Sequence, residues 1–144
     1  MRSILIADDH PGCRLSMARL LQRLGYRTVP VGNAAEALDV LEQSMIDLAI
    51  LDLDMPHGGG LRVLRTISVV RPRLPVLMVS GHSSRQSLLR AYAAGAYGYL
   101  PKPIRVPLLK KLLSEATRSR ALVTVSRRTV IRIQITERNP HAED

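Results

Sequence analysis

The sequence predicts a single α/β domain in which helices cover both faces of a parallel sheet. Short apolar runs alternate along the chain with segments whose apolar residues recur at helical spacing. The runs are almost continuously apolar, which is typical of parallel strands buried on both faces. The β-α unit repeats five times within 144 residues, enough for one domain with its own core. Right-handed crossovers then give a doubly wound, three-layer arrangement.

Five segments are predicted as strands, and four of them end on or next to a reactive side chain. In chain order they are Ser3–Ala7, which leads into Asp8 and Asp9, then 28–31, Leu48–Asp52, Val76–Ser80 and 97–102. The reactive groups at these ends are carboxylates, one hydroxyl and one ammonium.

Apolar residues at helical spacing predict a helix after each strand. The first two helices carry the stripes Cys13, Met17, Leu20, Leu24 and Ala34, Ala37, Leu38, Leu41. The last three carry Leu61, Leu64, Ile67, Val70, then Leu88, Leu89, Tyr92, and finally Leu108, Leu109, Leu112, Leu113, Ala116. Gly25 is suited to end the first helix, and Asn33 with Glu36 resembles a capping box at the start of the second.

Composition excludes several classes of protein. With 46% hydrophobic residues the chain is typical of a globular protein, and no apolar run approaches the roughly 20 residues that span a bilayer. The N-terminus lacks the pattern of a signal peptide, and the single cysteine, Cys13, fits a reducing compartment. We therefore expect a cytoplasmic protein that makes no membrane contact.

The net charge of +9 would attract nucleic acid, but the basic excess is spread along the chain. Residues 1–118 hold 16 bases and 9 acids, and residues 119–144 hold 5 and 3. The sequence has no zinc-finger pattern, and it lacks the tryptophan and phenylalanine that stack on bases. We expect a solvated basic surface and no direct, specific binding to nucleic acid.

Residues 119–144 form a C-terminal extension with a different pattern. The segments 122–125 and 131–136 alternate like half-buried strands, so we expect residues 121–136 to form extra strand structure. Such structure would extend a sheet edge or pair two subunits. Residues 139–144 should be frayed.

The carboxyl ends of parallel strands meet at one edge of a sheet, and ligands of open α/β sheets bind there. Asp8, Asp9, Asp52, Ser80 and Lys102 are therefore expected to form one site. Carboxylate oxygens suit Mg²⁺, which takes its remaining ligands from water and phosphate. A carboxylate can also act as the nucleophile that accepts a phosphoryl group, and Asp52 is the better candidate because its strand is expected to be central.

Each of these polar groups also has an ordinary structural interpretation. Asp8 and Asp9 before Pro11 are suited to cap the first helix, and Asp52 and Asp54 to form a turn. The serine and the lysine fit a turn and a solvated loop. Their occurrence at the ends of four successive strands favours a shared site over four coincidences.

The residues at these strand ends resemble the receiver domain of two-component response regulators. The resemblance covers about residues 2–118, and residues 119–144 match nothing comparable. It is carried by the segments 7–11, 51–56 with 58–61, 79–82 and 98–103. It implies a flavodoxin-like fold with a five-stranded parallel sheet in the order 2-1-3-4-5.

The resemblance implies roles for the acidic residues. Asp52 would be the phosphoacceptor. Asp9 and Asp52 would bind Mg²⁺ through their side chains, Asp54 through its backbone carbonyl, and Asp8 through water. The carboxylate of Asp54 is a departure from the family pattern, and it would hinder or direct the water that removes the phosphate.

The resemblance also implies a switch. Lys102 would pair with the phosphoryl group or with Asp52, and Gly81 would leave the path to the phosphoryl group open. Ser80 would move toward the phosphoryl oxygens, and the ring of Tyr99 would turn into the space that it leaves. A modification of about −1.5 to −2 charge would thereby change the surface of the fourth helix, fifth strand and fifth helix.

The function expected from this resemblance is that of a phosphorylation-activated signalling module and not of an enzyme, beyond assistance to its own phosphotransfer and dephosphorylation. A sensor histidine kinase or a phosphotransfer protein would supply the phosphoryl group, and a downstream protein would be the target. A homodimer through the fourth helix–fifth strand–fifth helix face or through the extension is a further expectation.

Two alternatives stay open. The sequence Asp52-Leu53-Asp54 resembles the motif of haloacid-dehalogenase-like phosphatases, although there it ends the first strand and not the third. The chain is also compatible with a receiver fragment of a longer DNA-binding regulator or of a hybrid kinase.

Overall fold

The computed structural model describes residues 1–82 and 84–123, with side chains up to residue 118. The strands are β1 (Ser3–Ala7), β2 (Arg27–Val31), β3 (Leu48–Asp52), β4 (Val76–Ser80) and β5 (Gly98–Pro101). The helices are α1 (Pro11–Arg23), α2 (Ala34–Gln43), α3 (Gly59–Val70), α4 (Arg85–Ala93) and α5 (Val106–Val123), with a short 3₁₀ turn at Pro56–Gly58.

The five strands form one parallel sheet in the order β2-β1-β3-β4-β5. The predicted doubly wound fold and its strand order are therefore confirmed. The connection through α1 leads outward to β2, and the chain then returns past β1 to β3. With right-handed crossovers this reversal places α1 on one face of the sheet and α2 and α3 on the other. The reversal lies next to the carboxyl ends of β1 and β3.

The core follows from the alternation of side chains along buried strands. Alternate residues of β1, β3 and β4 pack with α2, α3 and α4 in one apolar cluster, represented by Leu5, Leu51, Met78, Leu64 and Ala91. The intervening strand residues point to the opposite face, where α1 packs against β1 and β2. All five residues of β1, β3 and β4 are buried, as the apolar runs predict.

The residues of the predicted helical stripes are all buried or partly buried except at two positions. The buried residues of α1 are Met17, Ala18 and Leu21, whereas Leu20 is only partly buried. Val70 and Leu89 are 62% and 48% exposed. A strict spacing of three residues drifts around a helix of 3.6 residues per turn, so Val70 rotates away from the face that Leu64 and Ile67 bury.

The contacts of the chain divide it into two compact units, with the boundary after Ile104. In the second unit, Leu109, Leu112, Leu113 and Ala116 are buried as predicted. Pro107 is the second residue of α5, where proline does not interrupt a helix. Among the described residues, no helix has both the length and the apolar character needed to cross a membrane.

The helix α5 corrects part of the prediction for the C-terminal extension. Residues 121–123, which were expected to begin a strand, are the last residues of α5. Alternation over so few residues is weaker than the continuation of an established helix, because each added residue gains a hydrogen bond. The rest of the predicted strand structure, in residues 124–136, and the fraying of 139–144 lie outside the described residues.

The N-terminal caps of α1 and α2 test the two caps predicted from the sequence. The side chain of His10, and not that of Asp8 or Asp9, caps α1, because its Nδ1 accepts from the amide of Cys13 at 3.2 Å. The capping interpretation of the two carboxylates is therefore wrong. At α2 the predicted cap is present, since Asn33 Oδ1 accepts from the amide of Glu36 at 2.9 Å. The Glu36 carboxylate reaches back to the side-chain amide of Asn33 at 2.9 Å and to the Gly32 amide at 3.4 Å, a variant of the capping box.

The loop between β3 and α3 contains one non-glycine residue with a strained backbone conformation. His57 has a φ of 60°, the left-handed region, and its side chain is exposed. A non-glycine residue pays about 1–2 kcal/mol there, whereas glycine does not. We expect His57→Gly to raise the free energy of unfolding by about 0.5–1 kcal/mol, less than the full strain, because the greater entropy of glycine in the unfolded chain offsets part of the relief. Urea denaturation measures this, with the β-branched variant His57→Val expected to lose stability.

Candidate functional site

The register of the parallel strands brings the predicted site residues to one edge of the sheet. Ala7 pairs with Leu51, so the next residues along each strand, Asp8 and Asp52, lie side by side. On the far side of β3, Asp52 pairs with Val79, immediately before Ser80. The strand β5 continues this edge, because the amide of Lys102 donates to the carbonyl of Ser80 at 2.8 Å.

Three carboxylates meet at this edge. One oxygen from each of Asp8, Asp9 and Asp52 lies within 4.8 Å of the others. Asp8 and Asp52 are buried, whereas Asp9 is exposed. Carboxylate oxygens at such separations, with one group open to solvent, suit a hard divalent cation that keeps water ligands. The residues present therefore fit Mg²⁺.

Lys102 brings an ammonium group to the carboxylates of the site. Its Nζ lies 3.3 Å from Asp8 Oδ2 and 3.4 Å from Asp52 Oδ2, and its side chain is 25% exposed. A single ammonium group thus bridges the two buried carboxylates. Lys102 lies beside Asp52 as expected, and it lies equally close to Asp8.

The pKa values of Asp52 and Lys102 are shifted by burial and by the neighbouring charges. Burial raises the pKa of the Asp52 carboxyl above its ordinary value and Asp8 adds to this, although the Asp54 amide and Lys102 oppose it. Burial alone would lower the pKa of Lys102, but the carboxylates of Asp52 and Asp8 outweigh it and hold that pKa above its ordinary value. Asp52 therefore has a higher proton affinity than a solvated aspartate, and further cationic charge beside it would favour its ionised form.

Asp54 makes contacts that the sequence interpretation missed. Its amide donates to Asp52 Oδ1 at 2.9 Å. Its carboxylate accepts from the hydroxyl of Ser80 at 3.0 and 3.1 Å and from the amide of Gly81 at 2.9 Å. His82 Nδ1 lies 3.4 Å from the same carboxylate. Burial would raise the pKa of the Asp54 carboxyl, but these donors outweigh it and hold the pKa below its usual range.

The remaining predicted residues lie beside this network. Ser80 is fully buried. A Cβ at Gly81 would lie 3.8 Å from Asp54 Oδ2, an ordinary contact. The Tyr99 ring packs against the apolar cluster, and its buried hydroxyl has no hydrogen-bond partner among the described residues. An unpaired buried hydroxyl lowers stability, because it gives up its hydrogen bonds to water without a replacement.

Gly60 is a second residue that sequence reasoning missed. A Cβ at this position would lie 2.3 Å from the carbonyl oxygen of Asp52 and 3.0 Å from Leu53 Cα. The first turn of α3 therefore approaches the backbone of β3 at a distance that only glycine permits. The signal was the run Gly58–Gly60, but three successive glycines do not say which one touches the strand.

A doubly wound parallel sheet with an acidic pocket and a lysine at its carboxyl edge has the arrangement expected of a receiver-type domain. Comparison with known families agrees, since the model of the response regulator receiver domain matches residues 4–114. The chain belongs to this family, and it is a receiver domain of two-component response regulators. No family of enzymes is indicated.

Individual relatives show how far the likeness extends. The chain is 33% identical over 116 residues to the response regulator protein PilR of Pseudomonas aeruginosa and 37% identical over 114 residues to the DNA-binding transcriptional regulator NtrC of a Bradyrhizobium species. These alignments cover 81% and 79% of this chain but only 26% and 24% of the relatives. The chain thus spans about a quarter of the length of these curated relatives.

A solved structure supports the fold independently. The response regulator protein TrrA of Thermotoga maritima, whose structure is a complex with Mg²⁺ and BeF, is 30% identical to this chain with a TM-score of 0.73. The likeness covers 81% of this chain and 99% of TrrA.

Proposed function

We propose that the protein is a phosphorylation-activated signalling module in which Asp52 accepts a phosphoryl group. The observation that carries the proposal is the buried carboxylate of Asp52, with Asp8, Asp9 and Lys102 within reach of it. In the transfer, an oxygen of Asp52 forms a bond to phosphorus while the bond between phosphorus and the donor's leaving group breaks. The leaving group departs with the electron pair of that bond, and Asp52 becomes an acyl phosphate.

We assign the metal ligands in the same way. Asp9 and Asp52 would hold Mg²⁺ through their side chains, Asp54 through its backbone carbonyl, and Asp8 through water. When bound, the cation would offset the charge of the carboxylates and of the incoming phosphoryl group. The convergence of three carboxylates supports this assignment, as does the Mg²⁺ in the TrrA complex.

Each remaining residue has a task in this proposal. Lys102 would orient Asp52 and then pair with the phosphoryl group, and Ser80 would donate to a phosphoryl oxygen. Gly81 would keep the approach open, and Tyr99 would adjust to the position of Ser80. A conformation that gives the Tyr99 hydroxyl a hydrogen-bond partner would remove the cost of leaving it unpaired. The result would be a two-state surface biased by one modification.

The partners follow from the class of protein. A sensor histidine kinase or a phosphotransfer protein would donate the phosphoryl group, and a downstream protein would read the changed surface. We propose that residues 2–118 form the receiver domain and that dimerisation uses the α4–β5–α5 face or the C-terminal extension. A cytoplasmic location and the absence of direct nucleic-acid binding stay predictions. Because the relatives are longer regulators, a receiver fragment of such a protein fits equally well.

The decisive experiment is incubation with acetyl phosphate and Mg²⁺, followed by measurement of acid-stable and acid-labile phosphate on the protein. We expect stoichiometric acid-labile phosphate, because an acyl phosphate on Asp52 forms once per chain. Addition of EDTA before the donor should prevent labelling.

Two other outcomes would contradict the proposal. Turnover of many equivalents of a phosphate ester would favour the haloacid-dehalogenase-like alternative with Asp52 and Asp54. Salt-sensitive retention of the intact protein on duplex DNA, without any labelling, would favour a DNA-binding role based on charge.

A further inference from the structure

We propose that the Asp54 carboxylate is a built-in competitor of the phosphoryl group for the Ser80 hydroxyl and the Gly81 amide. It occupies these two donors until a phosphoryl group on Asp52 displaces it. The inference rests on the proposed function of Asp52. It assigns to Asp54 a positioning role that is separate from metal binding through its backbone carbonyl.

The Ser80 hydroxyl and the Gly81 amide both donate to the Asp54 carboxylate. Ser80 Oγ lies 3.0 and 3.1 Å from the two oxygens of Asp54, and the amide nitrogen of Gly81 lies 2.9 Å from Oδ2. The amide of His82 donates to Ser80 Oγ at 3.0 Å. A serine hydroxyl has one hydrogen to donate, and with His82 on its lone pair that hydrogen is directed to Asp54.

Burial of Ser80 strengthens these hydrogen bonds to Asp54. Ser80 is fully buried, so water does not replace a partner that it loses. The Asp54 side chain is 31% exposed, so its carboxylate has a path into solvent when it leaves. Hydrogen bonds from a buried hydroxyl and an amide to a charged acceptor are stronger than those between neutral groups.

The two donors lie beside Asp52, so a phosphoryl group on Asp52 would compete with the Asp54 carboxylate for them. Ser80 follows the residue that pairs with Asp52, so its hydroxyl stands at the carboxyl end of the neighbouring strand. The backbone amide of Asp54 donates to Asp52 Oδ1 at 2.9 Å, so the residue that holds Ser80 and Gly81 begins directly beside the Asp52 carboxylate. A phosphoryl group on Asp52 would need donors from this same edge.

Charge works in the same direction. A phosphoryl group adds about −1.5 to −2 charge and three acceptor oxygens. The ionised carboxylate of Asp54 repels this charge while it also occupies the nearest donors. Removal of the Asp54 carboxylate should therefore make the site bind a phosphoryl group more tightly.

The test uses beryllium fluoride with Mg²⁺ as a phosphoryl analogue on the full chain. The response is followed by ¹⁵N–¹H NMR at the Gly81 amide. In wild type this signal should move as Asp54 is exchanged for the analogue. We expect Asp54→Ala to lower the half-saturating concentration of beryllium fluoride roughly tenfold, as the loss of a charged competitor for two hydrogen bonds implies. Asp54→Asn, which keeps one acceptor oxygen without the charge, should show a smaller gain in the same direction.

The matched control is Asp39→Ala, which removes one exposed carboxylate from α2 and makes the same change in net charge. It should leave the half-saturating concentration within about twofold, because screened surface charges act weakly at a distance. If Asp54→Ala binds no tighter than this control, or binds more weakly, the competition is absent and the inference is wrong. If Asp54→Ala does not fold, Asp54→Asn decides by the same criterion.

The outcomes separate the two proposals. A wild-type protein that binds the analogue, with Asp54 variants that bind equally well, overturns the competition alone. A protein that shows no response at Gly81 and takes up no acid-labile phosphate overturns the proposed function, and the competition with it.

Discussion

Asp52→Asn is expected to reduce phosphate incorporation from acetyl phosphate from stoichiometric to background. The amide has nearly the same shape as the carboxylate, but it lacks the nucleophilic oxygen that forms the acyl phosphate. Asparagine also keeps an acceptor for the amide of Asp54, which contacts Asp52 Oδ1 at 2.9 Å. The fold should therefore survive while the chemistry is lost.

The measurement is acid-labile phosphate per chain, with thermal unfolding as a check on folding. Asp39→Asn is the control, because it makes the same chemical change at an exposed carboxylate on α2, outside the residues of the site. It should label like the wild type. Full labelling of Asp52→Asn would move the acceptor to another side chain, and peptide mapping would then identify it.

Gly60→Ala is expected to have the largest effect on stability. The added Cβ would lie 2.3 Å from the carbonyl oxygen of Asp52, and backbone atoms cannot be moved aside as the end of a flexible side chain can. Overpacking of a buried position typically costs about 1–3 kcal/mol, and we expect a loss near the upper end. Since the strain falls on the residue proposed as phosphoacceptor, labelling by acetyl phosphate should also slow.

The neighbouring Gly59 provides the matched control. A Cβ there would lie 3.4 Å from Ala34 Cβ and 3.5 Å from Met55 Cβ, close to ordinary contact distances. Gly59 has a φ of −59° and a ψ of −40°, which alanine also adopts, so the reduced entropy of the unfolded chain offsets the tighter packing. Urea denaturation should show Gly59→Ala close to the wild type and Gly60→Ala clearly destabilised. Equal midpoints would mean that α3 shifts away from β3 at little cost.

The parts of the fold that depend on local pattern were predictable. Buried apolar runs identified β1, β3 and β4, and the capping box identified the start of α2. The strand order 2-1-3-4-5 came from the family resemblance, since no local pattern encodes which strands become neighbours. Residues 121–123 show where a local pattern misleads. Their short alternation predicted a strand, but α5 continues through them.

The sequence by itself determined that reactive groups follow the ends of four strands. In a parallel sheet this places Asp8, Asp52, Ser80 and Lys102 at one edge, whatever the details of packing. Only the tertiary structure decided their individual partners. The lysine lies as close to Asp8 as to Asp52, and the Asp54 carboxylate holds Ser80 and Gly81. Those pairings depend on strand register and on small differences in the distances between residues remote in sequence, and no residue pattern along the chain specifies these distances.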